Sequence, residues 1–370
     1  MESIVVDKVV NADSTLTGCE IAVEEGLVAG VRPVGSERTP GFAYAVPGFI
    51  DMHTHGAVGY DLMDQDEEGM AAIARHHLNH GTTSFLSSTL TAPLEALDRL
   101  LRFVRDTLPR NREEAGRGVA AAQLGVHLEG PWVSPERAGA QNTAYMRAPD
   151  REAEELVRTY ADIVRMVTFS YHYESADAFL DLLLELGIIP ACGHDQTVDE
   201  RILEGFARGL RYVTHLYSMS SSFQRVDGLK HLGTLEMALM TPGVTVEVIA
   251  DGRHITEHFW RFITHNKSFD DIVIVSDSMR WAGMREDPDR VIRLGDLEVI
   301  VDNGVAWLAD RSAFAGSIGT MDDMFRRLVL EWGVGINDAV RMTSWNQARQ
   351  LGLDEQLGSI QAGQAADFVL

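Results

Sequence analysis

The sequence contains very little lysine or cysteine. Its only lysines are Lys8, Lys230 and Lys267, and its only cysteines are Cys19 and Cys192. Two scattered cysteines are too few for a disulfide framework or a thiolate metal site, and they are typical of a reduced, cytoplasmic protein. Any metal-binding or catalytic chemistry is therefore expected among the histidine and carboxylate side chains.

Positive charge is scarce as well. Lysine and arginine total 32 against 55 aspartate and glutamate residues, so the formal net charge is −23. A protein that binds nucleic acid normally carries a basic face, and this class is not expected here. Any site for an anionic group must be built locally from arginines.

Long apolar runs and a basic leader are also missing. The longest apolar stretches, near 244–250 and 272–275, are much shorter than a membrane span requires. The start, Met1-Glu2-Ser3, has no basic segment ahead of an apolar one. We expect a cytoplasmic protein that makes no membrane contact.

Short β-branched segments alternate along the chain with helix-like segments of roughly 10–15 residues, a pattern that indicates βαβ units. The length of 370 residues suits one (β/α)8 barrel, a TIM-like fold, with a small appendage. The predicted barrel strands are 46–52, 82–87, 120–127, 163–170, 188–192, 211–215, 245–249 and 271–276. The predicted helices are 67–80, 93–107, 176–186, 198–208, 232–240, 256–265, 321–332 and 336–351.

The two ends of the chain have a different character. Residues 4–11, 19–23 and 27–32 read as short strands joined by turns, and 358–370 resembles them. We predict a small β-sandwich domain made from residues 1–46 and 355–370, beside a catalytic barrel of residues 47–354.

Polar side chains with metal chemistry follow the predicted barrel strands, and the C-terminal ends of these strands form the active site of such barrels. His53 and His55 are two residues apart on a strand, so both imidazoles point to the same side. Imidazole nitrogen and carboxylate oxygen suit zinc and neighbouring first-row metals. The other strand-end residues of this kind are Glu129, His194, His215, His254 and Asp277.

This constellation resembles the amidohydrolase superfamily. Many binuclear members bridge their two metals with a carbamylated lysine after the fourth strand. No lysine occurs between Lys8 and Lys230, so a carboxylate must take that place, and Glu129 is the candidate.

Several segments narrow the resemblance to one family, the N-acetylglucosamine-6-phosphate deacetylases. It extends from Pro47 to the closing GSIQAGQAADFVL. The segments that carry it are PGFIDMHTHG, HLEGPWVSPERAGAQ, ACGHDQT, THLYSM, IADGRHI, IVSDSM and AFAGSIGTMDD.

The resemblance implies a ligand set for two metal ions, because this chain keeps the His-x-His pair. Glu129, His194 and His215 would hold the first ion, and His53, His55 and Asp277 the second. Asp277 would also act as general base and then as general acid. Zn²⁺ is the expected metal, while Fe²⁺, Mn²⁺ and Co²⁺ also suit these ligands.

The resemblance also implies contacts to a phosphorylated amino sugar and a homodimeric assembly. Ser218 and Met219 replace an Asn-Ala pair of the family, and Arg225 lies near its phosphate-contacting arginine. Arg253, Arg280 and Arg311 are further phosphate candidates, since arginine matches phosphate oxygens well. The implied substrate-binding residues are Ala140, Gln141, Ser218, Met219, Arg225, His254, Arg280 and Ser317.

The function implied is hydrolysis of the N-acetyl group of an N-acetylhexosamine 6-phosphate, with N-acetylglucosamine 6-phosphate favoured over its galactosamine epimer. Hydrolysis of another small amide is an alternative. Dihydropyrimidinase-like and dihydroorotase-like enzymes normally need the missing lysine, and deaminases lack the HLEGP segment. A non-catalytic scaffold, from a different functional class, would be expected to have lost metal ligands that this chain retains.

Overall fold

A computed structural model describes residues 2–35, 39–287, 291–294 and 297–370 of the chain. Its strands, in chain order, are β1 (Glu2–Val10), β2 (Thr15–Glu24), β3 (Leu27–Pro33), β4 (Phe42–Pro47), β5 (Phe49–Thr54), β6 (Gly56–Ala57), β7 (Tyr60–Asp61), β8 (Thr82–Ser88), β9 (Ala122–Glu129), β10 (Val164–Phe169), β11 (Ile189–Cys192), β12 (Tyr212–Val213), β13 (Gln224–Val226), β14 (Leu229–His231), β15 (Thr245–Val248), β16 (Ile272–Ile274), β17 (Ile292–Leu294), β18 (Leu297–Asp302), β19 (Val305–Leu308), β20 (Phe314–Ser317) and β21 (Phe368–Val369).

The α-helices lie mostly between these strands. They are α1 (Glu67–Asn79), α2 (Leu94–Gly116), α3 (Arg151–Thr159), α4 (Ala176–Glu185), α5 (Asp199–Arg208), α6 (Thr234–Met240), α7 (Glu257–Asn266), α8 (Met321–Arg326), α9 (Ile336–Val340) and α10 (Asn346–Gln350). Two π-helical segments, Arg327–Glu331 and Arg341–Trp345, follow α8 and α9. None of the helices in the described ranges is long and apolar enough to cross a membrane.

Eight parallel strands form the central sheet, in the order β16-β15-β12-β11-β10-β9-β8-β5. A bridge between Thr54, the last residue of β5, and Ser278, four residues after β16, joins the two outer strands, so the sheet nearly closes into a barrel. Each of these strands overlaps one of the eight predicted from the sequence, and the TIM-like (β/α)8 fold is confirmed. Their C-terminal ends share one rim, which brings the residues that follow them together.

The first barrel strand begins later than the sequence predicted. Val46 belongs to β4 and pairs with Val369 in a different sheet, and the barrel strand starts at Phe49. Gly48 separates the two because a Cβ there would lie 2.2 Å from the side chain of Thr83. The close approach of β8 at Gly48 therefore sets the boundary between β4 and β5, and this approach is not visible in the sequence.

Both ends of the chain contribute to a five-stranded sheet with the order β21-β4-β1-β2-β3. A separate apolar core packs beneath it, which includes Val6, Ile21 and Val28 from the start of the chain and Ile360 from its end. A small β domain built from both ends is thus confirmed, while its boundaries at residues 46 and 355 stay a prediction.

The sequence analysis missed a four-stranded antiparallel sheet, β17 to β20, which lies between the last barrel strand and α8. Its turn contains Asn303 and Gly304, both with positive φ, at 54° and 77°. Asn-Gly between apolar segments is a strong hairpin signal, and it could have revealed β18 and β19. Phe314 and Gly316 of β20 line the pocket described below.

Helix α3 was missed as well. Its apolar residues Ala153, Leu156 and Val157, with Tyr160 just beyond, follow the i, i+3, i+4, i+7 spacing of a helix with one buried face. Asp150 caps its start by accepting a hydrogen bond from the Ala153 backbone N–H at 3.1 Å. Acidic residues separate these apolar positions, so the helical periodicity was not recognised in the sequence.

Candidate metal centre and active site

Four imidazole rings converge on one carboxylate at the C-terminal rim of the barrel. Oε1 of Glu129, the last residue of β9, lies 3.1 Å from His194 Nε2 and 3.0 Å from His215 Nε2. Oε2 faces the other pair, at 3.7 Å from His53 Nε2 and 3.4 Å from His55 Nε2. The two oxygens of one buried carboxylate thus face two histidine pairs, which is the arrangement expected of a bridging ligand.

Within the described ranges, two groups of side chains could hold a metal ion, and they share Glu129. The first adds His53 and His55, and the second adds His194 and His215, with all ligand atoms of a group within 4.8 Å of one another. Asp277 lies beside the first group, where its Oδ1 is 3.2 Å from His55 Nε2 and 3.6 Å from His53 Nε2.

Three of these residues have an unusual backbone conformation. His194, His215 and Asp277 follow barrel strands and have positive φ values of 47°, 26° and 47°. Such values cost a non-glycine residue about 1–3 kcal/mol, and they persist only where the surrounding structure enforces them. The chain turns sharply as each strand ends, so these side chains point across the barrel mouth.

The proton positions on two of the rings support a bound cation. His53 Nδ1 lies 3.1 Å from Oε2 of the buried Glu247, and His194 Nδ1 lies 2.7 Å from the carbonyl oxygen of Arg137. An ionised carboxylate and a carbonyl only accept hydrogen bonds, so each Nδ1 carries the proton. Both Nε2 atoms point toward Glu129. In the neutral form of each ring this atom has a free lone pair that can coordinate a divalent metal, so the residues fit such an ion.

The electrostatics of the cluster also favour a cation. Burial by itself would raise the pKa of the Glu129 and Asp277 carboxyls, but the nearby histidines, His53 foremost, lower both. Burial would lower the pKa of His53, and its three carboxylate neighbours instead raise it well above the ordinary value. The carboxylates are thus held ionised at the rim, and an ionised carboxylate is favoured further by a nearby positive charge.

Glu247 connects the two histidine pairs. Its Oε2 lies 3.1 Å from His53 Nδ1 and also accepts a hydrogen bond from the His215 backbone N–H at 2.9 Å. We expect Glu247→Gln to weaken metal binding about 10- to 100-fold, as is usual when the hydrogen-bond partner of a metal-binding histidine is changed. Metal affinity measured by chelator competition tests this, with the exposed Glu174→Gln as control. Equal affinities in the two variants would contradict it.

One pocket opens onto this cluster. Of the sequence-predicted substrate residues it is lined by Ala140, Gln141, Ser218, Met219 and His254, and of the predicted metal residues by His55, Glu129, His194, His215 and Asp277. Its lining also contains Tyr217, Met279 and Phe314, and it includes no lysine or arginine from the described ranges. The predicted metal residues and most of the predicted substrate residues thus come together at one place.

Three predicted substrate residues lie outside this pocket. Arg225 is exposed on the β13–β14 hairpin. Ser317 is fully buried, and its hydroxyl accepts a hydrogen bond from the Gly319 backbone N–H at 2.8 Å. Arg280 lines a neighbouring cavity, where its Nη2 donates to Asp64 Oδ1 at 2.7 Å.

Two pocket residues are oriented by further contacts. The Gln141 amide donates to Glu129 Oε2 at 2.8 Å and accepts from the Thr91 backbone N–H at 2.7 Å, so it also fixes the central carboxylate. His254 Nδ1 lies 2.7 Å from Asp251 Oδ2. That carboxylate only accepts, so the neutral ring of His254 has Nε2 as a hydrogen-bond acceptor.

Sequence reasoning assigned no role to Glu247 or Asp251. A carboxylate inside a strand that is otherwise apolar, such as Glu247 in β15, is a signal, because a buried charge needs partners. Asp251 follows the same strand three residues before His254, and the two form a buried pair. Phe314, whose ring centre is 4.8 Å from that of His254, comes from the sheet that was not predicted.

Known proteins are similar to this chain in sequence and in architecture. Residues 44–370 match the amidohydrolase family. The N-acetylglucosamine-6-phosphate deacetylase of Lysinibacillus sphaericus is 31% identical over 98% of this chain and 91% of its own length. An N-acetylgalactosamine-6-phosphate deacetylase of Escherichia coli O157:H7 is 28% identical over 95% of this chain and 89% of its own.

A solved structure is also similar to this chain over nearly its full length. It is a mutant N-acetyl-D-glucosamine-6-phosphate deacetylase from Mycobacterium smegmatis in complex with N-acetyl-D-glucosamine-6-phosphate, with a TM-score of 0.88 and 28% identity. It covers 99% of this chain, which in turn covers 94% of it. The shared fold, the near full-length matches and the identity above show that this chain belongs to the amidohydrolase family and, within it, to the N-acetylglucosamine-6-phosphate deacetylases.

Proposed function

We propose that the chain hydrolyses the N-acetyl group of an N-acetylhexosamine 6-phosphate, with N-acetylglucosamine 6-phosphate as its preferred substrate, and releases acetate and the amino sugar phosphate. The observation that carries this proposal is the position of Glu129 between two histidine pairs, with Asp277 beside them in the same pocket. We also propose that the enzyme is cytoplasmic and uses Zn²⁺, whose preferred ligands match this set.

An amide needs help at two points, because its carbonyl is a weak electrophile and its amine a poor leaving group. A bound divalent metal supplies Lewis acidity, which polarises a carbonyl and lowers the pKa of water from about 15.7 toward about 7. Glu129, His194 and His215 would hold one ion, and His53, His55 and Asp277 a second.

Asp277 would carry the proton during the reaction. Its side chain is only 10% exposed but lines the pocket, and its ionised form is favoured by the neighbouring histidines. As general base the carboxylate would take a proton from the attacking water. As general acid it would then deliver that proton to the sugar nitrogen while the C–N bond breaks.

The sugar would occupy the side of the pocket formed by Tyr217, Ser218, Met219 and His254. With Nδ1 bound to Asp251, His254 has an acceptor at Nε2 that suits a sugar hydroxyl. This favours a role for His254 in orienting the sugar over the stabilisation of an oxyanion, which requires a donor.

The phosphate needs a cation that this pocket lacks among its described lining residues. Arg225 is exposed on a hairpin that begins nine positions after His215, beyond the pocket residues Tyr217 to Met219. We propose that the chain forms a homodimer in which the Arg225 hairpin of one copy completes the phosphate site of the other.

The proposed activity is tested by measuring acetate release from N-acetylglucosamine 6-phosphate, its galactosamine epimer and both unphosphorylated sugars, on protein of known metal content. We expect turnover of the phosphorylated glucosamine substrate to exceed that of the other three. The 28% identity to an N-acetylgalactosamine-6-phosphate deacetylase makes that epimer the second candidate. Metal-loaded protein that is inactive on all four would overturn the proposal.

Removal of the Arg225 side chain tests how the phosphate is held. We expect Arg225→Ala to raise KM for the phosphorylated substrate about 10- to 100-fold, because a hydrogen bond to a charged group is lost. The KM for the unphosphorylated sugar should stay the same. Arg112→Ala, on an exposed position of α2, is the control. An unchanged KM for the phosphorylated sugar would remove Arg225 from the site.

A further inference from the structure

The barrel has one seam that lacks a backbone ladder within the described ranges. It lies between β5 and β16, the two outer strands of the central sheet, whereas the other neighbouring strands are joined by ladders. The β-bridge across this seam, between Thr54 and Ser278, lies at the C-terminal rim of the barrel. Below the rim, side chains connect β5 to the segment that follows β16.

Asp51 and Ser276 make this connection. Asp51 Oδ2 accepts a hydrogen bond from the Ser276 hydroxyl at 2.5 Å, and its Oδ1 accepts one from the Ser276 backbone N–H at 3.1 Å. The Ser276 hydroxyl oxygen in turn accepts from the Ser278 backbone N–H at 3.1 Å. Two backbone amides after β16 thus donate to side chains instead of to carbonyl oxygens of β5. We call Asp51 and Ser276 the seam clasp.

The seam clasp is buried and its hydrogen bonds are satisfied. Asp51 is 0% exposed and Ser276 is 1% exposed. A buried carboxylate is unfavourable unless hydrogen bonds compensate it, and Asp51 also accepts from the His53 backbone N–H at 3.3 Å. A buried polar network whose members all have partners specifies a single geometry. The seam clasp therefore fixes how β5 lies against the segment after β16.

This seam separates the residues of the proposed second metal site. His53 and His55 lie on its β5 side, and Asp277 lies on the other side. At the rim, the Asp277 backbone N–H donates to the His53 carbonyl oxygen at 2.8 Å, and the His55 backbone N–H donates to the Ser278 carbonyl oxygen at 2.9 Å. Asp51 and His53 point to the same side of β5, because they are two residues apart. The seam clasp thus lies in the layer of the barrel beneath His53.

The proposed first metal site depends on other strands. Glu129 ends β9, and His194 and His215 follow β11 and β12. Backbone ladders join β9 to β10, β10 to β11 and β11 to β12. The main chain therefore sets the relative positions of these three ligands, whereas the ligands of the second site are held together across the seam.

We propose, building on the two-metal site of the proposed function, that Asp51 is a positioning residue for the second metal ion. Through Ser276 it sets the distance between the His53–His55 pair and Asp277. Ligand atoms lie about 2.0–2.2 Å from Zn²⁺, and a site tolerates deviations of only about 0.2 Å. A small displacement across the seam would therefore weaken binding of the second ion and leave the first ion bound.

Ser276→Ala tests the proposal by removing the hydroxyl of the seam clasp. We expect the affinity for the second ion to fall about 10- to 100-fold, the usual range for groups that orient metal ligands, and the affinity for the first to stay the same. Zn²⁺ affinity is measured by chelator competition. Ser87→Ala is the matched control, because it removes a buried hydroxyl that accepts from Gln123 Nε2 at 2.9 Å between two strands joined by a ladder.

Two variants of Asp51 separate its hydrogen bonds from its charge. Asp51→Ala removes both and should weaken the second ion at least as much as Ser276→Ala. Asp51→Asn keeps an acceptor for the two backbone amides and can donate to the Ser276 oxygen, so it should bind the second ion nearly as well as the wild type. Equal losses in the two variants would assign the effect to charge and overturn the proposal.

A His55→Ala background separates positioning from a general loss of stability. This background keeps only the first ion, and the addition of Ser276→Ala should not change the affinity for it. A loss there as large as that of the second ion would show a general structural role and overturn the proposal. Asp51→Ala replaces Ser276→Ala in this comparison if the latter does not fold.

The metal measurements also distinguish this inference from the proposed function. Wild-type protein that binds a single ion overturns the positioning role together with the two-metal site. Two bound ions without acetate release from any of the four sugars overturn the proposed function alone. In that case the role of Asp51 is decided by the affinities of its variants, which do not depend on the substrate.

Discussion

Asp277→Asn is expected to lower kcat for deacetylation about 10²- to 10⁴-fold, the usual contribution of a general acid–base group. The amide keeps the shape of the carboxylate but cannot take a proton from water. Asparagine tolerates positive φ well, and the backbone at Asp277 has φ 47°, so the fold should be retained. Metal content should stay close to that of the wild type, because the other ligands are unchanged.

The measurement is acetate release under saturating substrate, with metal content determined on the same samples. Asp106→Asn, on an exposed position of α2, controls for the loss of one negative charge. Near-normal turnover by the Asp277 variant would show that another group moves the proton. Loss of metal together with activity would show that Asp277 acts mainly as a ligand.

Glu129→Gln is expected to have the largest effect on metal binding. Both oxygens of Glu129 face histidine pairs, within 3.1 Å of His194 and His215 on one side and within 3.7 Å of His53 and His55 on the other. Removal of its charge should therefore weaken metal binding by both histidine pairs. We expect metal content to fall from two ions per chain to below one, and activity to fall at least about 10²-fold.

A second variant shows whether Glu129 is shared. His55→Ala should remove only the ion on the His53 side and leave about one ion per chain. Elemental analysis after dialysis measures both variants against Glu136→Gln, an exposed glutamate seven residues along the chain. If Glu129→Gln and His55→Ala lose the same amount of metal, Glu129 does not bridge two sites.

Much of the candidate site could be predicted because each candidate metal residue lies at or just after the end of a barrel strand. His53 and His55 share one face of β5 by the two-residue repeat of a strand, and parallel strands all end at one rim. Once the barrel is predicted, residues far apart in sequence, such as Glu129 and His215, must approach each other. Because lysine is nearly absent, a carboxylate is the expected bridging ligand.

Other features could not be predicted because they depend on which loops meet. Arg280 was a candidate for phosphate binding, yet the structure pairs it with Asp61 and Asp64 beside a separate cavity. Gln141 was expected to contact substrate, and its amide also fixes Glu129. Neither contact follows from spacing along the chain, because each joins loops from different strands.

The sequence by itself determined the fold class, the candidate metal residues and their family, because these depend on periodicity, strand ends and local motifs. Only the tertiary structure decided how Glu129 divides its oxygens between two histidine pairs, and that Glu247 connects those pairs. It alone revealed the second cavity, which Arg280 lines beside Asp61 and Asp64. These features depend on distances of a few ångströms between segments distant in sequence, which a linear pattern does not encode.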